Sequence, residues 1–177
     1  MELTVFIPAI KKQAAFRDDL VKKLAGKTLV QRAIDKAVCL QPTKTSIHLL
    51  TDSEEISLIG DRNGISVVQK PSLTWCAGDI GQLPLKATQV ATDSIGTSLV
   101  LSPYAPLLTT DTLLHSLEVF FSGSVEVLRP VRTERRFILD GTDQSVEQLI
   151  FGSRNQTHLV ESTSFIILRN DVLFGNL

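Results

Sequence analysis

The chain has 177 residues, 18 Lys+Arg against 19 Asp+Glu, and 43% hydrophobic residues. That length suits one compact domain burying roughly two thirds of its unfolded surface, rather than two domains with separate cores. Its 10 Gly and 7 Pro exclude a collagen-like or disordered chain, and a net charge of -1 gives no global field for nucleic acid or an acidic membrane.

Residues 3–7 form a short apolar run that Pro8 ends, which predicts a buried first strand. A basic stretch follows over residues 10–27, where Lys11, Lys12, Arg17, Lys22, Lys23 and Lys27 are offset only by Asp18 and Asp19. Gly26 marks a turn. Leu29, Ala33, Ile34, Ala37 and Val38 then recur at helical spacing until Pro42 stops the pattern. Residues 47–50 predict a second strand, after which Thr51 or Asp52 caps a short helix with Glu54 and Glu55 near its positive end. That helix buries Ile56 and Ile59 and gives way to the Asn63-Gly64 turn.

Residues 65–68 predict a third strand, followed by a polar connection and a helix over residues 82–92. Residues 97–101 predict a fourth strand, with Ser102-Pro103-Tyr104-Ala105-Pro106 as a rigid turn beyond it. A helix from Thr110 or Asp111 to Gly123 buries Leu113, Leu114, Leu117, Val119 or Phe120, and Phe121. The tail carries two apolar strands, 125–128 and 165–168, with a mixed segment between them. Strands alternating with helical patterns over residues 3–121 predict βαβ units around a mostly parallel sheet, an α/β fold.

Cys39 and Cys76 are too few and too far apart for a disulfide framework or a cysteine-only metal site, which favours a reduced cytoplasmic setting. No basic leader precedes the first apolar run. No stretch approaches the roughly 20 apolar residues of a membrane span, and no membrane partner is expected.

Ligands of open α/β sheets bind beyond the C-terminal ends of the strands. Under this topology residues 8–12, 51–53, 70–79 and 102–106 converge there. Lys11 and Lys12 stand near the mouth, where an ammonium group would meet phosphate oxygens; the alternative is a solvated basic loop. Neither the G-x-x-x-x-G-K-[ST] nor the G-x-G-x-x-G pattern is present, which argues against a P-loop ATPase or an ordinary dinucleotide enzyme. Asp52 and Asp79 are either hard ligands for a divalent ion beside a substrate phosphate, or a helix cap and a loop residue. His48, His115 and His158 lack metal-ligand spacing, and His48 reads as a partly buried strand residue. Arg129, Arg132, Arg135 and Arg136 form a second basic group that would suit carboxylate or phosphate. Only Tyr104 and Phe137 offer stacking nearby, so a strand connection or subunit contact is expected there and no nucleic acid.

Several segments carry a family pattern in order: residues 8–28, Thr51-Asp52-Ser53-Glu54-Glu55-Ile56, Lys70-Pro71 with Ala77-Gly78-Asp79, and Leu101-Ser102-Pro103-Tyr104-Ala105-Pro106-Leu107. Together they resemble the N-acylneuraminate (CMP-sialic acid) cytidylyltransferase family. Its opening motif reads approximately P-A-R-G-G-S-K-R-x-P-x-K-N-x-K-x-x-x-G-K-P, and Pro8, Ala9, Lys22, Gly26 and Lys27 match it. Ile10 stands at its first arginine, Lys11 and Lys12 at its paired glycines, and Gln13 at its serine. Ala14 and Ala15 replace the next lysine and arginine; Asp19 and Leu20 replace the later lysine and asparagine. Residues 101–107 resemble L-Q-P-T-S-P-L, with Ser102 for Gln and Tyr104 for Thr, and residues 161–169 resemble a late family strand.

The resemblance implies a three-layer α/β/α Rossmann-like nucleotidyltransferase fold in a single domain over residues 1–177. It also implies CMP transfer from CTP to a sugar acid, with Mg2+ required if the chain is active. A homodimer or partner domain is implied, with residues 123–169 as the β-rich dimerisation region. Family enzymes continue past the position of Leu177 into an acidic, metal-associated segment, so the chain reads as short at that end. Lys11, Lys12, Lys22 and Ser102 are the implied nucleotide or phosphate contacts, and Asp79, Tyr104 and Arg129 the implied sugar or polar positioning groups. Replacing Lys by Asp beside phosphates reverses the local electrostatic preference. Each lost phosphate contact costs about 2–4 kcal/mol of transition-state stabilisation. The expectation is therefore a degenerate nucleotide site in a non-catalytic binding or scaffold domain, with active CMP transfer to a nonulosonic acid as the alternative.

Overall fold

The computed structural model describes residues 2–11, 16, 18–40, 44–69, 96–136 and 156–170. Lys12, Pro42, Cys76, Asp79, Phe137 and the helix expected over residues 82–92 lie outside them. Two compact units are present, residues 1–129 with 163–177, and residues 130–162.

The larger unit is organised on β1 (Glu2–Ala9), whose residues are all buried after Glu2. An unbroken apolar strand of this kind belongs in a parallel sheet covered on both faces. It pairs in parallel with β4 (Lys44–Thr51) on one side and β6 (Thr97–Leu101) on the other. Pro8 does not end the strand, as its lack of an N–H suggests. The register with β6 stops at Phe6↔Val100, whereas that with β4 runs on to Ala9↔Thr51. Pro8 thus sits where β1 has become edge-like, a place that tolerates a missing donor.

Beyond β1 the described residues include a 3-10 turn (Asp19–Val21) and a small hairpin of β2 (Lys23–Leu24) and β3 (Lys27–Thr28). The hairpin reverses on Ala25 and Gly26, at φ 49° and 83°. Left-handed dihedrals at both central positions make this a primed two-residue turn, matched to strand twist. The helix α1 (Leu29–Cys39) starts from Thr28, whose side chain accepts from the Gln31 amide at 3.1 Å. It buries Val30, Ala33, Ile34 and Ala37.

Next are α2 (Glu54–Arg62), β5 (Ser66–Gln69) and α3 (Thr110–Ser122). Neither residue expected to cap α2 does so. Ser53 holds the N-cap position, Thr51 is the last residue of β4, and the Asp52 carboxylate turns instead to the Lys11 backbone. Thr109 caps α3, its hydroxyl accepting from the Thr112 amide at 3.2 Å. The apolar stripe of α3 buries Leu113, Leu117 and Phe120, while Val119 is exposed.

β7 (Val127–Leu128) and β10 (Phe165–Arg169) complete a six-stranded sheet of order β5-β4-β1-β6-β10-β7. Its only antiparallel member among the described strands is β10, paired that way with both β6 and β7. The expected mostly parallel α/β arrangement is therefore present. Odd-numbered β1 residues Leu3, Val5, Ile7 and Ala9 join Leu49, Leu99, Leu101 and Ile167 in a core covered by α1, α2 and α3. Phe6, Ile10, Leu50, Val100, Ile166 and Leu168 form a second buried cluster. Phe6, at an even-numbered position of β1, and Ile10 just beyond the strand supply it, on the face opposite Val5 and Ile7.

The smaller unit is an antiparallel pair, β8 (Val131–Arg136) and β9 (Gln156–Glu161), in register from Val131↔Glu161 to Arg136↔Gln156. The Ser162 amide closes it by donating to the Pro130 carbonyl at 2.8 Å. The sequence leaves this ribbon unresolved as a mixed segment. Val131-Arg132-Thr133-Glu134 has no apolar face to betray a strand, and both Val131 and Leu159 are exposed. Arg132 and Glu134, two residues apart on one face, form an ion pair.

Gly60 of α2 is a packing contact. A Cβ there would lie 2.5 Å from Val67 Cγ2 and 2.9 Å from Leu49 Cδ2. Val is stiff at χ1, so β5 rather than the side chain has to yield. Ala gains about 1 kcal/mol in helix propensity over Gly, while overpacking costs about 1–3 kcal/mol. Gly60→Ala is expected to be net destabilising, by about 1 kcal/mol in urea denaturation; an unchanged or raised midpoint would contradict the tight α2–β5 approach.

Candidate functional site

The parallel strands β5, β4, β1 and β6 end on one edge of the sheet, and the chain segments leaving that edge carry Lys11, Asp52, Ser102 and Tyr104. The register fixes them. Ala9 lies opposite Thr51, and Thr51 opposite Gln69, so the segments after β1 and β4 leave side by side. The Lys11 amide donates to Asp52 Oδ1 at 2.6 Å, and this bond joins them.

Lys11 turns its ammonium toward carboxylates: Nζ is 2.8 Å from Asp18 Oδ1 and 2.9 Å from Glu55 Oε2. The bonds to Asp18 and then Glu55 raise its pKa above the ordinary lysine value, so it stays cationic. Exposed ion pairs add little stability; the consequence is positional. Asp18 adopts a left-handed φ of 62° at the start of the 3-10 turn, and Leu20 at its centre is buried in the main core. The turn is thus fixed by an apolar anchor on one side and by the Lys11 contact on the other.

The turn after β6 is held separately. Ser102 is buried; its amide donates to the Ser164 carbonyl at 2.9 Å and its hydroxyl accepts from the Tyr104 amide at 3.3 Å. Tyr104 directs its hydroxyl to Asp19 Oδ1 at 3.2 Å. Burial, the Asp19 charge and this bond push the phenol well above its usual pKa, so it remains a donor. From beneath, Lys36 of α1 donates Nζ to the carbonyls of Ala105 at 2.6 Å and Pro106 at 3.3 Å. Burial, then the nearby Arg32 charge, lowers its pKa.

Of the residues expected to serve a ligand, Lys11, Ser102 and Tyr104 come to this edge. Lys22 follows the 3-10 turn with its side chain exposed and its amide bonded to the carbonyls of Asp18 and Asp19. Arg129 comes directly after β7, two strands from β6, roughly 10 Å across the sheet. Lys12 and Asp79 are outside the described residues. Sequence reasoning missed Asp18, Asp19, Glu55 and Lys36 as participants. The Asp18-Asp19 doublet inside a basic stretch was the visible signal, but which cations those acids meet depends on the register. Among the described residues no group of three or more His, Cys, Asp or Glu is arranged to hold a metal ion.

The fold recurs in known structures. No family model matches the sequence, and no curated protein matches it. Solved structures do. CMP:2-keto-3-deoxy-manno-octonic acid synthetase complexed with CTP superposes with a TM-score of 0.70 at 13% identity, over 99% of this chain and 77% of that one. The chain shares the fold of that synthetase. A cytidylyltransferase from Leptospira borgpetersenii serovar Hardjo-bovis gives 0.61 at 15% identity, over 99% of this chain and 63% of that one. The bifunctional IspDF from Campylobacter jejuni gives 0.63 at 11%, over 96% and 41%. The chain therefore spans less than two thirds of the Leptospira and Campylobacter proteins.

His48 and His115 stand apart from this edge. His115 is exposed on α3 beside Glu118. His48 lies opposite Phe6 in the register, its ring stacked on the phenyl at 5.6 Å between centroids, and its Nδ1 is buried without a hydrogen-bond partner. It is the structural strand residue that the sequence suggested.

Two outcomes are expected. Lys36→Met should loosen the turn after β6 and lower stability by about 1 kcal/mol, a value discounted for its partial exposure; denaturant titration reads it, and an unchanged midpoint would remove its anchoring role. Burial lowers the pKa of His48 below 6.5, so the unfolded chain binds a proton more readily than the fold. Its contribution is complete above about pH 6.5 and is lost as pH falls toward the folded value. His48→Phe should flatten the acid side of the stability profile measured between about pH 5 and about pH 8; an identical slope in both proteins would contradict this.

Proposed function

We propose that the chain is a cytidylyltransferase-like domain whose nucleotide site is degenerate, with a binding or scaffold role in place of CMP transfer. The observation that carries this reading is the fate of the positions where the resembling family places polar, phosphate-facing groups. Ile10 is buried in the second apolar cluster, Leu20 is buried in the main core, and Asp19 accepts from Tyr104. The one described lysine at the paired-glycine positions, Lys11, is engaged by Asp18 and Glu55. A triphosphate approaching this edge meets carboxylates at short range, and like charges disfavour it.

CTP or a sugar acid is the ligand class that the fold suggests, since one neighbour is described as complexed with CTP. Lys11, Lys12, Lys22 and Ser102 are the proposed nucleotide contacts, and Asp79, Tyr104 and Arg129 the proposed polar positioning groups. Mg2+ would be required only if transfer occurs. A second reading, active transfer of CMP to a nonulosonic acid, is favoured by the survival of Lys22 as an exposed cation beside the 3-10 turn. Residues 123–169 are proposed as the dimerisation region, in a cytoplasmic protein. Among the described residues no helix is long and apolar enough to cross a membrane.

Calorimetry with CTP and Mg2+, beside a CMP-transfer assay on several nonulosonic acids, tests the proposal. The expected result is no product and weak or absent CTP binding that strengthens in Asp18→Asn/Glu55→Gln. Turnover by the unmodified chain would overturn it.

A further inference from the structure

We infer that Asn63-Gly64 is a deamidation site held in check by Gln31, and that its conversion cuts a tie between α1 and α2. It is the only Asn-Gly pair in the chain, and Gly leaves the following amide nitrogen sterically open. Gly64 has a φ of 65°, and a Cβ placed there would meet nothing within 4 Å, so no neighbouring group crowds that side of the turn.

Deamidation begins when the Gly64 amide nitrogen, having lost its proton, attacks Asn63 Cγ. The new C–N bond closes a five-membered imide, the Cγ–Nδ2 bond breaks, and Nδ2 leaves as ammonia. Water then opens the ring at either carbonyl, giving aspartate or isoaspartate at position 63. The first step requires the Asn63 side chain to swing over the Gly64 nitrogen.

Three contacts oppose that swing. Asn63 Nδ2 donates to the Ile59 carbonyl at 2.7 Å and to Gln31 Oε1 at 3.0 Å, while its Oδ1 accepts from Gln31 Nε2 at 2.9 Å. The amide orientations are not arbitrary. A backbone carbonyl only accepts, which fixes Nδ2 of Asn63; Asp35 Oδ1, 2.8 Å from Gln31 Nε2, fixes Gln31 in the complementary sense. The nucleophile is occupied as well, because the Gly64 amide donates to the Asp61 carbonyl at 3.0 Å. Asn63 caps the C-terminal end of α2 with its backbone at φ -92° and ψ 0°.

The product does not fit the same place. A carboxylate at position 63 has no donor to offer, so one of its oxygens faces the Ile59 carbonyl and Gln31 Oε1, both acceptors. Its charge also sits at the negative end of the α2 dipole. The reciprocal amide pair between the helices is lost, and the isoaspartate product lengthens the backbone at the turn that leads into β5.

Peptide mapping by mass spectrometry during incubation at mildly alkaline pH tests this in the full chain. Folded protein should deamidate at position 63 several-fold more slowly than the same protein in urea, and Gln31→Ala and Gln31→Met should each raise the folded rate several-fold. Asn63→Asp should lower the melting temperature. Equal rates in folded and urea-unfolded protein would overturn the inference, needing no variant to fold. A folded Gln31 variant with the original rate, or an Asn63→Asp protein with an unchanged melting temperature, would overturn it too.

Discussion

The constraint on which the molecule depends is the burial of β1 on both faces together with its pairing on both sides. A strand with β4 and β6 as parallel neighbours, Phe6 in one apolar cluster and Val5 and Ile7 in the other, cannot shift by a residue. Such a slip would exchange its two faces and break both ladders. The chain therefore leaves the sheet at a fixed level, and Ile10, itself buried, delivers the Lys11 amide to Asp52. The placement of the 3-10 turn, and of Asp18 and Asp19 on it, follows from that exit point.

Backbone amides at the C-terminal edge of a parallel sheet need acceptors. In nucleotide-binding proteins phosphate oxygens can provide them. In this chain its own side chains take part of that role: Asp52 accepts from Lys11, and the Ser102 hydroxyl accepts from Tyr104. Asp18 and Glu55 likewise engage the one lysine described at the mouth. Among the described residues these groups are paired with one another, so a ligand reaching them has to compete with contacts already made. A fold shared with solved cytidylyltransferase structures thus coexists, among the described residues, with two carboxylates held against Lys11.

The turn after β6 shows how a second loop is fixed at the same edge. It is tied to β10 through Ser164, to the 3-10 turn through Asp19, and to α1 through Lys36. Its Ser102 and Tyr104 thereby become structural members of the edge as well as proposed ligand contacts. The ribbon of β8 and β9 is inserted between β7 and β10 and makes its own closed ladder.

Sequence alone determined the alternation of strands and helices, because apolar periodicity is a local property. The limits of β6, the stripe of α3 and the turn at Gly26 are legible in single stretches of a few residues. It also identified the edge where Lys11, Ser102 and Tyr104 meet, since parallel strands must carry their exits to one side. The partners of those residues were not legible. Lys11 and Glu55 are 44 positions apart, Tyr104 and Asp19 are 85 apart, and Lys36 and Ala105 are 69 apart. Only strand register brings such groups within bonding distance, and register is set by the whole packed sheet. Asp52 reads as a helix cap from its neighbours alone, yet its carboxylate accepts from the Lys11 amide, which the pairing of β1 with β4 brings beside it.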